Sequence, residues 1–168
     1  MRHAVIWFAA VVVLTAAISS RAVENRIGAG VHYWKTIDEL KDEFEDLDDS
    51  GLAWMIVYQY KPVRLLAAEL DVEIFPEGFA GSTDVAYAPQ VYLVVGAAVY
   101  AAAGAGIVYT DELGDPFYAL RAGLDLEVLP SIFLDINANY QVAEWRALRD
   151  VKENVGSYTL GAAAKLEF

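Results

Sequence analysis

The chain has 168 residues, 57% of them hydrophobic, no cysteine, and 24 acids against 12 lysines and arginines, for a formal charge of −12. That apolar fraction excludes a disordered chain, and the length suits one domain. The missing cysteine excludes disulfide frameworks, thiol catalysis and Cys-based metal centres, and the acidic balance argues against a nucleic-acid partner, which needs Lys and Arg to neutralise phosphate.

The first segment reads as an export signal. Met1-Arg2-His3 carries positive charge, Ala4 to Ser20 is uncharged, and Ser20-Arg21-Ala22 offers small residues at the spacing a signal peptidase accepts. A retained membrane anchor is the alternative, but the strongest apolar run, Ala4 to Leu14, is shorter than the roughly 20 residues of a spanning helix. Cleavage after Ala22 is expected, with residues 1–22 as signal peptide and 23–168 as the only domain. It removes Arg2, Arg21 and no acid, so 10 bases face 24 acids.

From Arg26 onward the pattern has period 2, the mark of strands with two different faces, rather than the 3.6 spacing of an amphipathic helix. Eight such runs are predicted: 26–35, 51–60, 64–75, 85–95, 98–110, 117–129, 132–145 and 158–168. Between them, a long acidic loop at 36–50, a loop at 76–84, one at 111–116 and one at 146–157 alternate with tight turns at Lys61-Pro62-Val63, Gly96-Ala97 and Pro130-Ser131. Short turns on one rim and longer loops on the other are what consecutive antiparallel strands produce in a membrane barrel, with both chain ends on the short-turn rim.

One phase of the alternation carries no charge: Ile27, Val31 and Tyr33 begin it, Leu52, Trp54 and Ile56 continue it, and Leu160, Leu166 and Phe168 end it. The opposite phase holds Arg26, His32, Glu69, Asp71, Glu73, Arg121, Asp125, Glu127, Asp135, Lys165 and Glu167, with Gly28, Gly30, Gly104, Gly106, Gly123 and Gly161 between them. Closing the sheet lets such strands span lipid, because every backbone N–H and C=O then finds a partner. A soluble barrel would put the apolar phase inward instead. No residue between Asp84 and Asp111 is charged, however, so two of its strands would show water Tyr92, Val94, Tyr100 and Val108. Aromatics gather near strand ends, at Tyr33, Trp34, Trp54, Tyr58, Tyr60, Phe75, Tyr87, Tyr109, Phe117, Tyr118, Trp145, Tyr158 and Phe168, as girdles at two membrane interfaces require. A single helix over 85–110 meets the length criterion for spanning but is interrupted by Pro89, Gly96, Gly104 and Gly106. The predicted fold class is therefore all-β, an eight-stranded antiparallel up-and-down transmembrane β-barrel.

The residues offer little for catalysis. His32 is the one histidine left after signal cleavage, falls in the inward phase, and adjoins none of Ser50, Ser82, Ser131 or Ser157 in sequence. A triad needs base and nucleophile within hydrogen-bond reach, so no enzyme and no catalytic residue is expected. The 36–50 loop sets Asp38, Glu39, Asp42, Glu43, Glu45, Asp46, Asp48 and Asp49 against Lys41. Asp46, Asp48, Ser50 and Gly51 imitate the start of a calcium loop, but its twelfth position is Val57, where a bidentate Glu is needed. We read it as a solvated acidic loop, which facing outward would bridge through divalent cations to lipopolysaccharide; no metal site and no cofactor is assigned.

The mature chain resembles the bacterial outer-membrane β-barrel superfamily that contains the OmpA transmembrane domain, OmpX and OmpW-like proteins, over nearly its whole length and with no domain after the barrel. The resemblance is carried by the Gly-rich Val99-Tyr100-Ala101-Ala102-Ala103-Gly104-Ala105-Gly106-Ile107-Val108-Tyr109, by Ala122-Gly123-Leu124-Asp125-Leu126-Glu127 followed by Phe133-Leu134-Asp135-Ile136-Asn137, and by the acidic approach Asp46-Leu47-Asp48-Asp49-Ser50-Gly51 to the second strand. It implies an outer-membrane location and the family's assembly machinery as a partner during biogenesis. Leu160, Leu166 and Phe168 resemble the C-terminal signal that machinery reads, although Ala163 stands where the signal often has Gly.

An eight-stranded barrel is only wide enough to be filled by side chains, so the inward charges are expected to pair and plug the bore. Strand directions put Lys165 near Asp135 and near Asp125 or Glu127, with Arg26 meeting Glu167 where the first and last strands join. The expected role is a non-enzymatic structural or surface-interaction barrel in contact with outer-membrane lipid and lipopolysaccharide. A narrow cation-preferring channel and a lipid-modifying enzyme are the alternatives, and the residues identify no extracellular partner.

Overall fold

The computed structural model describes residues 23–37, 50–77, 85–109, 114, 116–142 and 156–168. The expected signal peptide, most of the acidic 36–50 loop, Ser82 and Trp145 lie outside the described residues. The eight strands are β1 Glu24–Ile37, β2 Ser50–Val63, β3 Leu66–Phe75, β4 Ala86–Gly96, β5 Val99–Ile107, β6 Pro116–Leu129, β7 Ile132–Val142 and β8 Gly156–Glu167. Each is paired antiparallel with its sequence neighbours, and β8 returns to β1, giving a closed barrel. Eight runs of alternating hydrophobicity thus become eight strands, each within a few residues of its expected span.

One expected turn is displaced. Lys61, Pro62 and Val63 belong to β2, and the chain reverses at Arg64-Leu65. Proline is tolerated at the frayed end of a strand, and the β2–β3 register shifts between Tyr60 and Val63 to take it in. The other short turns fall where expected, with Gly96 at φ 132° and Ser131 at φ 65° supplying the left-handed geometry that tight reversals demand.

Alternation along each strand sorts the side chains by face. Along β2, Leu52, Trp54, Ile56, Tyr58 and Tyr60 are exposed on the outer wall while Ala53, Met55, Val57 and Gln59 are buried inside. The outer wall is apolar over every strand, with Trp54 68% and Leu160 63% exposed. The charged phase is inside: Arg26, His32, Glu69, Asp71, Glu73, Arg121, Asp135 and Lys165 are each at most 4% exposed.

Three aromatics assigned to the girdles are corrected by the structure. Trp34, Phe75 and Phe117 share the parity of the inward residues and lie buried in one cluster near the long-loop end of the bore. The outer aromatics at that level are Tyr33, Trp54, Tyr87, Tyr109, Tyr118, Tyr140 and Tyr158, with the Tyr140 and Tyr158 rings 4.7 Å apart. Tyr58, Tyr60 and Phe168 lie toward the short-turn end.

Candidate functional site

The bore is built from inward positions of all eight strands, and its charges fall into three tiers. Lowest, at the seam between β1 and β8, the Arg26 guanidinium donates to Glu167 at 2.8 Å, to Asp125 at 2.6 Å and to Glu24 at 3.2 Å, and it lies 3.4 Å from the centroid of the Phe133 ring. In the same tier, sharing Asp125 with Arg26, Lys165 Nζ sits 2.8 Å from Asp135, 3.2 Å from Asp125 and 3.7 Å from Glu69. The Tyr100 hydroxyl and the Asn137 amide also donate to Asp135.

Arg121 forms the middle tier. It donates to Glu69 at 2.5 Å, to Asp71 at 2.6 Å and to Asn139 at 2.5 Å, and its guanidinium carbon stands 3.9 Å from the Tyr92 ring centroid. Gln59 donates to the other Glu69 oxygen, and Asn139 continues to Asn137 and Thr159. A planar guanidinium with five donors suits this two-carboxylate cradle better than a lysine would. The upper tier is a single pair, His32 Nδ1 against Glu73 at 2.5 Å, both side chains fully buried. The His32 ring lies over Gly161, where any Cβ would collide with it. Glycine in the bore therefore marks places where a large side chain at the paired position of the neighbouring strand lies across the backbone, as His32 does over Gly161, Tyr92 over Gly104 and Phe117 over Gly106.

The pairings of Lys165 with Asp135 and Asp125, and of Arg26 with Glu167, involve the residues the sequence brings together. Glu127 does not join them: it is exposed at the short-turn rim, because the β6–β7 register shifts between Glu127 and Leu129 and the inward alternation ends there. Sequence reasoning missed the ties across the bore, Arg121 to Glu69 and Asp71 and His32 to Glu73, and the contacts of Tyr92, Tyr100 and Phe133 with the charged groups. Parity alone signalled the aromatics; the cross-bore ties depend on barrel width and shear. Leu160, Leu166 and Phe168 all point outward, at 63, 51 and 69% exposure.

Within this arrangement His32 faces Glu73 and Gly161 in the interior rather than the outer wall, so it is a hydrogen-bond partner of Glu73. Among the described residues no group of three or more His, Asp or Glu side chains has the geometry to hold a metal ion.

No family model matches the sequence, and no curated protein matches it. Solved structures do. Neisserial surface protein A is 16% identical, covering 88% of this chain and 100% of that one with a TM-score of 0.56. The N-terminal β-barrel domain of Pseudomonas aeruginosa OprF is 11% identical over 88% and 100%, with a TM-score of 0.53. Ail, the attachment invasion locus protein of Yersinia pestis, is 15% identical over 88% and 100%, with a TM-score of 0.52. At these identities the likeness lies in the fold, the closed eight-stranded antiparallel barrel that this chain shares with those proteins.

Proposed function

We propose that the chain is exported and inserted into an outer membrane as a closed β-barrel with a structural or surface-interaction role and no catalytic activity. The observation that carries this reading is the combination of an uncharged apolar outer wall with a bore occupied by paired charges and, toward the long-loop end, by the buried Trp34, Phe75 and Phe117. Such a wall requires lipid, and such a bore leaves no continuous aqueous path. Residues 1–22 act as the export signal, Leu160, Leu166 and Phe168 engage the assembly machinery, and the long-loop rim carries the acidic 36–50 segment outward toward lipopolysaccharide and any surface partner.

The test is twofold. The folded protein in unheated SDS should migrate differently from the boiled sample, and in a planar bilayer it should show no resolved conductance steps. A water-soluble monomer would refute the membrane assignment. Stable steps would replace the plug with the second reading, a narrow channel; that reading draws on the surplus of buried acids, Glu69, Asp71, Glu73, Asp125 and Asp135, over Arg26, Arg121 and Lys165, and it requires cation preference.

A further inference from the structure

A pocket of about 340 Å³ opens at the short-turn rim between the β2–β3, β4–β5 and β6–β7 turns. Arg26 and Phe133 line it, and above them Lys165 and its carboxylates fill the bore. It is therefore blind, and its size falls at the small end of ligand pockets, about 300–1,000 Å³. Most charges around it are already spent on one another: Arg26 holds Asp125, Glu167 and Glu24, and Lys61 lies 3.4 Å from Glu24. Two are not. Arg64, on the β2–β3 turn, and Glu127, at the end of β6, are exposed, line the pocket and make no ion pair among the described residues. They stand on strands three positions apart around an eight-stranded ring, so the unspent positive and negative charges flank the mouth from different sides.

We propose that this pocket binds a small zwitterionic ligand, the class represented by a short peptide with free ends, its carboxylate taken by Arg64 and its ammonium by Glu127. The charge balance of the lining favours a dipolar guest. Three cations, Arg26, Lys61 and Arg64, face four acids, Glu24, Asp125, Glu127 and Glu167, so neither a simple anion nor a simple cation meets a strong net field. The unpaired charges instead fix a direction across the opening, and a charge-assisted bond at each end supplies orientation. The pocket exists whichever compartment the rim faces, so this inference goes beyond the envelope role and does not depend on it.

The experiment is a titration of the full chain, folded in detergent micelles, with tri-alanine bearing free termini and with its N-acetylated, C-amidated counterpart, read by amide shifts of Ala97 and Ala98 in the pocket wall. Saturable shifts with the free peptide, absent with the capped one, are expected. Arg64→Gln and Glu127→Gln should each weaken binding about tenfold, the loss of one charge-assisted bond, while leaving heat-dependent mobility in SDS unchanged because both side chains are exposed. Absence of saturable shifts, equal binding of the capped peptide, or wild-type affinity in both variants would overturn the proposal.

Discussion

Replacing Arg121 with methionine keeps most of the side-chain volume and removes the charge that ties β6 to β3 across the bore. The guanidinium holds Glu69 and Asp71 at 2.5 and 2.6 Å. With charge centres about 4 Å apart and an effective dielectric near 20, each attraction is worth about 4 kcal/mol before desolvation is subtracted. Removing one member of a buried ion pair costs about 3–5 kcal/mol net, because the remaining charge stays buried. Here two carboxylates remain, on the same face of β3 and about 7 Å apart, and their mutual repulsion adds about 2 kcal/mol. Arg121→Met is therefore expected to lower unfolding free energy by about 5–7 kcal/mol in urea titration of the barrel in lipid vesicles, followed by tryptophan emission. In an Asp71→Asn background the same substitution should cost about 2 kcal/mol less, a coupling that a double-mutant cycle reads directly. In the triple variant with Glu69→Gln added, part of the loss should be recovered, since neither carboxylate facing position 121 is left without its cation. Strict additivity, or a loss below about 1 kcal/mol for Arg121→Met alone, would show that the middle tier is hydrated and contributes no more than a surface pair.

Three further outcomes are expected. Gly161→Ala places a methyl against the His32 ring and should destabilise the barrel by about 1–3 kcal/mol through overpacking, with His32→Ala restoring much of the loss; an unchanged unfolding midpoint would mean the ring moves freely. Tyr87 and Tyr109 exchange both backbone hydrogen bonds, so the next hydrogen-bonded pair along β4 and β5 is Pro89 with Ile107, where proline has no donor. Pro89→Val should therefore create a slowly exchanging amide at position 89; fast exchange there would place the missing rung elsewhere. Phe168→Ala should reduce the heat-modifiable fraction assembled in cells while leaving the unfolding free energy of the folded portion within about 0.5 kcal/mol, and an unchanged yield would remove Phe168 from the assembly signal.

Much of this architecture is written in the parity of the residues. An even-spaced alternation that survives eight strands fixes which side chains enter the bore, and antiparallel order brings Arg26 to Glu167 without further information. Trp34, Phe75 and Phe117 show the cost of setting parity aside: their places near strand ends suggested a girdle, yet they share the phase of His32, Glu73 and Arg121, two or four residues away, and each is inside. Glu127 shows the opposite failure, since parity puts it inside and a register shift frees it. The contacts of Arg121 with Asp71 and of His32 with Glu73 join strands that are not neighbours. They depend on barrel width and on the stagger of strands around it, which pairwise alternation does not encode.

The β1–β8 junction couples the earliest-made strand to the latest. Arg26 finds Glu167 only when the C-terminal strand arrives, and Phe168 donates its amide to Asn25 in the same place. A nascent or truncated polypeptide lacking that final stretch would hold Arg26 without this carboxylate and keep two raw strand margins side by side. The ion pair thus works as a latch, and the cylinder's permanence is decided by its last dozen residues.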